Sequence, residues 1–213
     1  MADIQRKSPV QFPEVPIQTE IRDHWKVALA YDDEGSGPYL VDLSHKVRLD
    51  LQSANLADFR PYDIPVPETP GQCALENGVL INRMNRTQAA IWQLTGIPGP
   101  MPEDPAYTDV SEATVFLALF GPNAFFITEK LSALDFLDPG KSAPFLLQGP
   151  FSHVPCQIVT LEKNADGNGG IIFTCSRGYG HAMVHAIMEA GQEFGIRPAG
   201  ENRFNHWLGT LAG

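Results

Sequence analysis

The chain has 213 residues, enough for one large domain or two small ones around a shared core. Twenty-five acidic residues against fifteen basic ones give a formal net charge of -10, so no cationic field is available to displace counterions from nucleic acid or to settle on an anionic membrane. Apolar content of 43% is ordinary for a globular protein, and no apolar run approaches the length of a bilayer span. Residues 1–20 carry charges and prolines and lack the apolar core of a signal peptide, and Cys73, Cys156 and Cys175 show no CxxC spacing. Both features lead to the expectation of a reducing cytoplasm.

Residues 1–22 read as an extended arm, because Pro9, Pro13 and Pro16 interrupt any helix. Val10, Phe12, Val15 and Ile17 leave open whether it packs or hangs free. Trp25, Val27, Leu29 and Tyr31 alternate as one face of a strand, and Asp32 to Pro38 is a turn. A second strand spans 39–43. In the next, Val47, Leu49 and Leu51 point one way and Lys46, Arg48, Asp50 and Gln52 the other, which predicts a strand with one wet face. A short helix is expected at 53–59 and an extended, proline-rich connection at 61–70. Strands at 78–84 and 88–94 follow, with Ala90, Trp92 and Leu94 sharing a face. The prolines between Gly96 and Pro105 suggest a boundary between two halves.

The strongest pattern runs from Asp109 to Asp135. Val115 to Phe120 is an unbroken apolar run, Gly121-Pro122 stops it, and Ala124, Ile127, Leu131 and Leu134 then recur at helical spacing. This predicts a strand buried on both faces over 112–120 and an amphipathic helix over 122–134. Residues 139–150 read as a loop, 154–162 and 170–176 as strands joined by a turn, and 180–194 as a helix ended by Gly195. Residues 201–213 form a tail, with a last short helix around Phe204, Trp207 and Leu208. The resulting division is an arm (1–22), a first α+β half (23–104), a second α+β half (105–200) and the tail.

Two stretches echo each other. Asp42-Leu43-Ser44 and Asp109-Val110-Ser111 each precede a strand and then a helix start. These residues, with Leu119-Phe120-Gly121-Pro122, Leu134-Asp135-Phe136, Ser176-Arg177-Gly178-Tyr179 and Glu193 to Gly200, carry a family resemblance. The chain resembles the folate-binding superfamily typified by the T-protein of the glycine cleavage system, and looks most like the gamma subunit of heterotetrameric sarcosine oxidase. The resemblance covers most of residues 38–200. It implies an α+β fold of two related antiparallel-sheet and helix halves. It implies an accessory, non-catalytic subunit of an oxidoreductase or one-carbon complex, or alternatively a tetrahydrofolate-dependent aminomethyl or methyl transferase that works with a lipoylated carrier. Full T-proteins continue past the Pro-Ala-Gly turn into an Arg-rich, Glu-containing folate segment. Here that stretch reads Glu201-Asn202-Arg203-Phe204-Asn205-His206-Trp207 and does not match.

No catalytic constellation is complete in the sequence. Asp42, Ser44 and His45 have the letters of a hydrolase triad, but strand alternation sends His45 away from the other two. His181 and His185 share a helix face without the Glu of HExxH or a further nearby ligand, so no metal site is expected. Ser176-Arg177-Gly178-Tyr179-Gly180 joins a strand to a helix N-terminus, where Arg177 and Tyr179 are candidates to hold an anion or a partner's acid. Arg83 and Arg86 concentrate positive charge near Trp92, a candidate wall for a ligand or a protein partner. Cys156 and Cys175 read as small buried residues.

Overall fold

The computed structural model describes residues 5–96, 99–164 and 166–211. The extreme ends of the arm and tail, Ile97-Pro98 in the proline-rich connection and Ala165 in the predicted turn lie outside the described residues. In chain order, β1 (Gln18–Arg22) and β2 (Trp25–Ala30) form an antiparallel ribbon. Then follow β3 (Tyr39–Asp42), β4 (Arg48–Gln52), β5 (Cys73–Glu76), β6 (Val79–Arg83), β7 (Gln88–Gln93), β8 (Tyr107–Asp109) and β9 (Thr114–Gly121). After β9 come α1 (Ala124–Leu131), β10 (Phe145–Phe151), β11 (Val154–Lys163), β12 (Gly169–Ser176), α2 (Gly180–Gly191), β13 (Arg197–Ala199) and α3 (Glu201–Thr210). A six-stranded sheet has the order β10-β11-β12-β9-β3-β13, and a five-stranded sheet the order β5-β6-β7-β4-β8. Every neighbouring pair is antiparallel except β13 with β3. The fold is α+β, as the sequence predicts.

Strand β9 is the spine. Val115 through Phe120 are each at most 2% exposed, which is the two-faced burial their unbroken apolar run requires. Val115, Leu117 and Leu119 pack with Phe125 and Ile127 of α1 and Met183 and Ile187 of α2. Phe116, Ala118 and Phe120 pack the other way, with Leu80, Ala90 and Trp92 of the five-stranded sheet. The layers are therefore α1 with α2, the six-stranded sheet, then the five-stranded sheet, with α3 packed on the inter-sheet side through Phe204 and Leu208. Sheet membership crosses the expected boundary near residue 104: β3 completes the six-stranded sheet beside β9, and β8 completes the five-stranded sheet beside β4.

Several elements depart from the sequence pattern for identifiable reasons. The predicted loop at 139–150 holds β10, whose Gly149 and Pro150 disguise it; it is the edge strand of its sheet, paired with β11 and bridged at Phe145 to Gln72, and Pro150 lies on the open part of that edge, where proline is tolerated. The helix expected from 122 starts at Ala124, because Asn123 takes a left-handed conformation, and it ends at Leu131. The short helix at 53–59 is a single 3-10 turn, Leu56–Asp58. The polar face predicted over 46–52 is wet only at its far end: Lys46 is 8% and Arg48 0% exposed, Asp50 is half-buried and Gln52 is exposed. The tail is the helix α3, with Phe204 buried and Trp207 stacked on Phe120 at 4.4 Å. The N-terminal arm packs: Val10 is buried and Phe12 meets Tyr31 edge to face.

Gly200 shows how tightly the last helix is docked. A Cβ there would lie 2.1 Å from the Leu29 carbonyl oxygen, so β2 passes where any side chain would stand. Gly200→Ala is expected to push β2 off α3 and to cost roughly 1–3 kcal/mol in denaturant unfolding, the usual scale of overpacking. Leu117→Ala, at a fully buried position of β9, is expected to cost about 2–5 kcal/mol. An unchanged denaturation midpoint for the Leu117 variant would reject β9 as the spine.

Candidate functional site

The internal echo is a reciprocal hydrogen-bonding device. Asp42 Oδ1 accepts the Ser44 N–H at 2.9 Å, and Asp109 Oδ1 accepts the Ser111 N–H at 2.8 Å. Asp is suited to this, since its carboxylate closes a turn on the backbone two residues on. Leu43 N–H donates to Phe116 O and Ser44 Oγ accepts from Phe116 N–H. In the same way Val110 N–H donates to Arg48 O and Ser111 Oγ accepts from Arg48 N–H. Each Asp-x-Ser turn thus caps the strand that follows the other one. Arg48 and Phe116 occupy matching places, and the guanidinium lies 5.1 Å from the phenyl centroid.

Arg48 is buried without a carboxylate in ion-pair range among the described residues. Its Nε donates to Thr114 Oγ1 at 2.8 Å, and its terminal nitrogens donate to the carbonyls of Ser44, Lys46, Ser111 and Thr114. Burial pulls its pKa down to about 10, while the charges of Asp42, Asp109 and Glu112 pull it back up. Ser44 is fully buried and engaged by Phe116, and His45 turns to Glu201, so the Asp42, Ser44 and His45 letters do not meet as a triad.

A second buried charge centre joins α3 to the body. Glu201 opens the helix and is 1% exposed. Its Oε1 lies 3.1 Å from His45 Nε2 and pairs with Lys46 Nζ; its Oε2 lies 2.5 Å from Arg22 Nη1. Burial works to raise the carboxyl pKa, but the hydrogen bond from His45 and the Lys46 charge outweigh it and hold the group well below the usual carboxylate range. Beside it, Glu34 accepts from Gly200 N–H at 2.9 Å and from Arg203 Nε at 3.0 Å. Within the stretch 201–207, Glu201, Arg203 and Trp207 are held by internal partners, while Asn202, Asn205 and His206 are exposed. Glu201 and Arg203 do not fit a folate-holding role.

The candidates from the sequence are not brought together. Arg177 binds the arm: it donates to the Lys7 carbonyl and reaches Glu112, which also pairs with Arg6. A Cβ on Gly180 would stand 2.5 Å from the Pro9 carbonyl oxygen, so the arm lies over the start of α2 where an anion was expected. Tyr179 is exposed beside it. Arg83 turns back on its own hairpin, donating to the carbonyls of Asn85 and Arg86, and the Arg86 side chain stands exposed. Trp92 is 1% exposed and packs on Phe116, at the far end of β7 from that hairpin. It therefore forms no wall with Arg83 and Arg86; its apolar strand face belongs to the shared core. His181 and His185 are exposed on α2, with His185 Nδ1 3.8 Å from Glu189.

Two concave surfaces went unnoticed in the sequence because they form between distant segments. One, about 590 Å³, lies at strand ends of the six-stranded sheet and is lined by Thr114, Gln148, Gln157, Thr174, Cys156 and Cys175. Its lining is uncharged and supplies amides, hydroxyls and thiols. Gln148 also donates to Met84 O at 2.8 Å, tying β10 to the five-stranded sheet. The other, about 860 Å³, lies between the proline-rich connection and the loop before β10, near Pro67, Gln72, Cys73, Lys141 and Phe145. Asn82, paired with Cys73 across β5 and β6, is fully buried with no hydrogen-bond partner for its amide. Lys46, Arg48, Asn82 and Glu201 were all missed as buried groups. The available signal was weak: charged letters inside alternating or helical patterns.

Glu201 generates a pH prediction. Its folded pKa is depressed, so its contribution is complete above the unfolded value near 4.5 and is lost as pH falls toward the folded one. Glu201→Gln should flatten that acid limb of stability and cost about 3–5 kcal/mol at neutral pH, because Lys46 is left buried without its partner. Chemical denaturation at a series of pH values reads both effects; an unaltered acid limb would mean that the carboxylate is not charged in the fold.

No family model matches the sequence, and no curated protein matches it. Among solved structures, the chain is similar to a chain of the heterotetrameric sarcosine oxidase from Corynebacterium sp. U-96, determined in complex with pyrrole 2-carboxylate. The TM-score is 0.59 at 15% identity, covering 73% of this chain and 84% of that one. At that identity the likeness is one of fold, and the fold is the one implied by the T-protein and sarcosine oxidase resemblance.

Proposed function

We propose that the chain is an accessory, non-catalytic subunit of a cytoplasmic oxidoreductase or one-carbon-transfer complex, docking on its partner through the β1 ribbon. The observation that carries this is an apolar row on an edge strand. Val15, Ile17 and Ile21 are 81%, 67% and 63% exposed, and they fall at even spacing on the strand β1 and its lead-in. Strand β1 has β2 on one side and no other strand on its outer edge among the described residues. A free, apolar edge is a template for an added strand, and a protein that worked alone would gain by blunting it. The fold likeness to a chain of a four-subunit oxidase supports the same reading. No helix among the described residues is long and apolar enough to cross a membrane.

Arg83 and Arg86 supply a second contact in this proposal. Arg83 stiffens the hairpin by holding its carbonyls, and Arg86 is presented outward from an acidic chain, suited to a partner's carboxylates. The transferase alternative, with tetrahydrofolate and a lipoyl carrier, would need the residues after Gly200 to be free for folate, and Glu201 and Arg203 are engaged inside the fold.

The test is assembly with the subunits that co-purify from the native host. Ile17→Lys with Ile21→Lys, and separately Arg83→Ala with Arg86→Ala, should each change folding stability by only about 0.5 kcal/mol, as exposed positions do. Each pair should weaken assembly by roughly 2 kcal/mol or more if it meets the partner at a buried contact. Wild-type assembly by the isoleucine double variant would sink the β1 docking proposal; wild-type assembly by the arginine double variant would remove the hairpin contact.

A further inference from the structure

Strands β11 and β12 are antiparallel neighbours whose register pairs Ile158 with Phe173 and Gln157 with Thr174. One step further along the same ladder, Cys156 stands opposite Cys175. Both side chains lie on the helix-facing side, in one cluster with Val115 and Ile158. Residues directly opposite on one face have Cβ atoms about 4.5–5.5 Å apart, and a disulfide needs about 3.5–4.5 Å, so closure asks for a small local shift. The two thiols are near enough to shift each other's titration.

The surroundings distinguish this pair from two inert core residues. Both cysteines line the 590 Å³ pocket, and each retains 4–5% exposure close to the end of β12, where Ser176 is exposed. The Cys156 thiol donates to the Val154 carbonyl at 3.3 Å. The nearness of the two thiols lowers the Cys175 pKa below the ordinary thiol value against the opposing effect of burial, and pushes Cys156 up. The Cys156 thiol is committed to the Val154 carbonyl, so Cys175 is placed to attack first and Cys156 to wait. Cys73, in the other sheet, is pushed up to about 12 by burial.

We propose that Cys156 and Cys175 are a reversible redox couple, forming a cross-strand disulfide when a small hydroperoxide enters the pocket at the end of β11 and β12. In the first step the Cys175 thiolate attacks one peroxide oxygen. The O–O bond breaks, an S–O bond forms, and the departing alkoxide or hydroxide takes up a proton as alcohol or water. The peroxide gains two electrons and Cys175 becomes a sulfenic acid. The Cys156 sulfur then attacks the Cys175 sulfur: the S–S bond forms, the S–O bond breaks, and the hydroxyl leaves with the Cys156 proton as water. Two thiols and one hydroperoxide thus give one disulfide, one water and one alcohol or water. A cross-strand bridge held in sheet geometry is strained, and strained bridges are readily reduced by cellular thiols, which makes the step reversible. Closure would pin the two strands beside Gln157 and Thr174.

The experiment uses the full chain, reduced and then treated with hydrogen peroxide. Three alkylatable thiols are present at the start. The expected result is a fall to one, with non-reducing peptide mapping showing a Cys156–Cys175 link, Cys73 still free, and full recovery on adding dithiothreitol. Cys73→Ser should leave the link intact, and Cys156→Ser should stop at a sulfenic acid on Cys175 that dimedone traps. Three thiols remaining after peroxide, a link through Cys73, or bridges only between separate chains would each overturn the proposal. The wild-type map decides alone should a cysteine variant fail to fold.

Discussion

The fold depends on a guanidinium kept away from water and from acids. Arg48 sits where the two Asp-x-Ser turns meet, and its donors are taken up by carbonyls from Ser44, Lys46, Ser111 and Thr114. Those carbonyls belong to segments more than sixty residues apart, so one side chain sets the distance between the two strand starts. A planar fork suits this task, since several fixed donors can address diverging acceptors at once; a lysine would offer a single point of charge. The Phe116 ring beneath completes the arrangement, and it occupies the matching place in the other half. The echo in the sequence is therefore visible as near-symmetry in the hydrogen bonds, broken at the centre by an arginine against a phenylalanine.

Patterns that depend on one strand or one helix were legible in the sequence. Val115 to Phe120 announces a doubly buried strand because no polar side chain interrupts it. Gly195 ends its helical segment in the left-handed conformation expected of it. What stayed hidden depends on a partner from elsewhere in the chain. Strand β10 has too irregular a pattern to be recognised without β11. Strand β13 has three residues and exists because β3 lies beside it in parallel. The wet polar face inferred by alternation holds at Gln52 and fails at Lys46, because α3, far along the chain, brings Glu201 to neutralise it. Among the candidate site residues, Trp92 followed its apolar strand into the core, and Arg177 was claimed by the arm. The first outcome is written in the alternation of Ala90, Trp92 and Leu94; the second has no local signal.

The charge balance also changes meaning. Lys46 and Arg48 count toward the formal total but are buried, and Glu201 is the buried acid. The positive charge left at the surface is scarcer than composition suggests. This raises the contrast of Arg86 against its background and lowers that of Arg177, which is already paired with Glu112.

The arm carries a consequence for the order of events during synthesis. Lys7 accepts from Arg177 and Pro9 lies against Gly180, so early residues are fastened by late ones. Val10 has no complete pocket until α2 has left the ribosome. Strand β3 likewise waits for β9, and its other edge waits for β13. The arm and β3 must therefore remain unsatisfied while much of the chain emerges, with apolar groups and a strand edge open to wrong partners. Such a topology favours a cell that shields nascent chains, and gives a binding subunit made at the same time an early opportunity to meet the exposed segment.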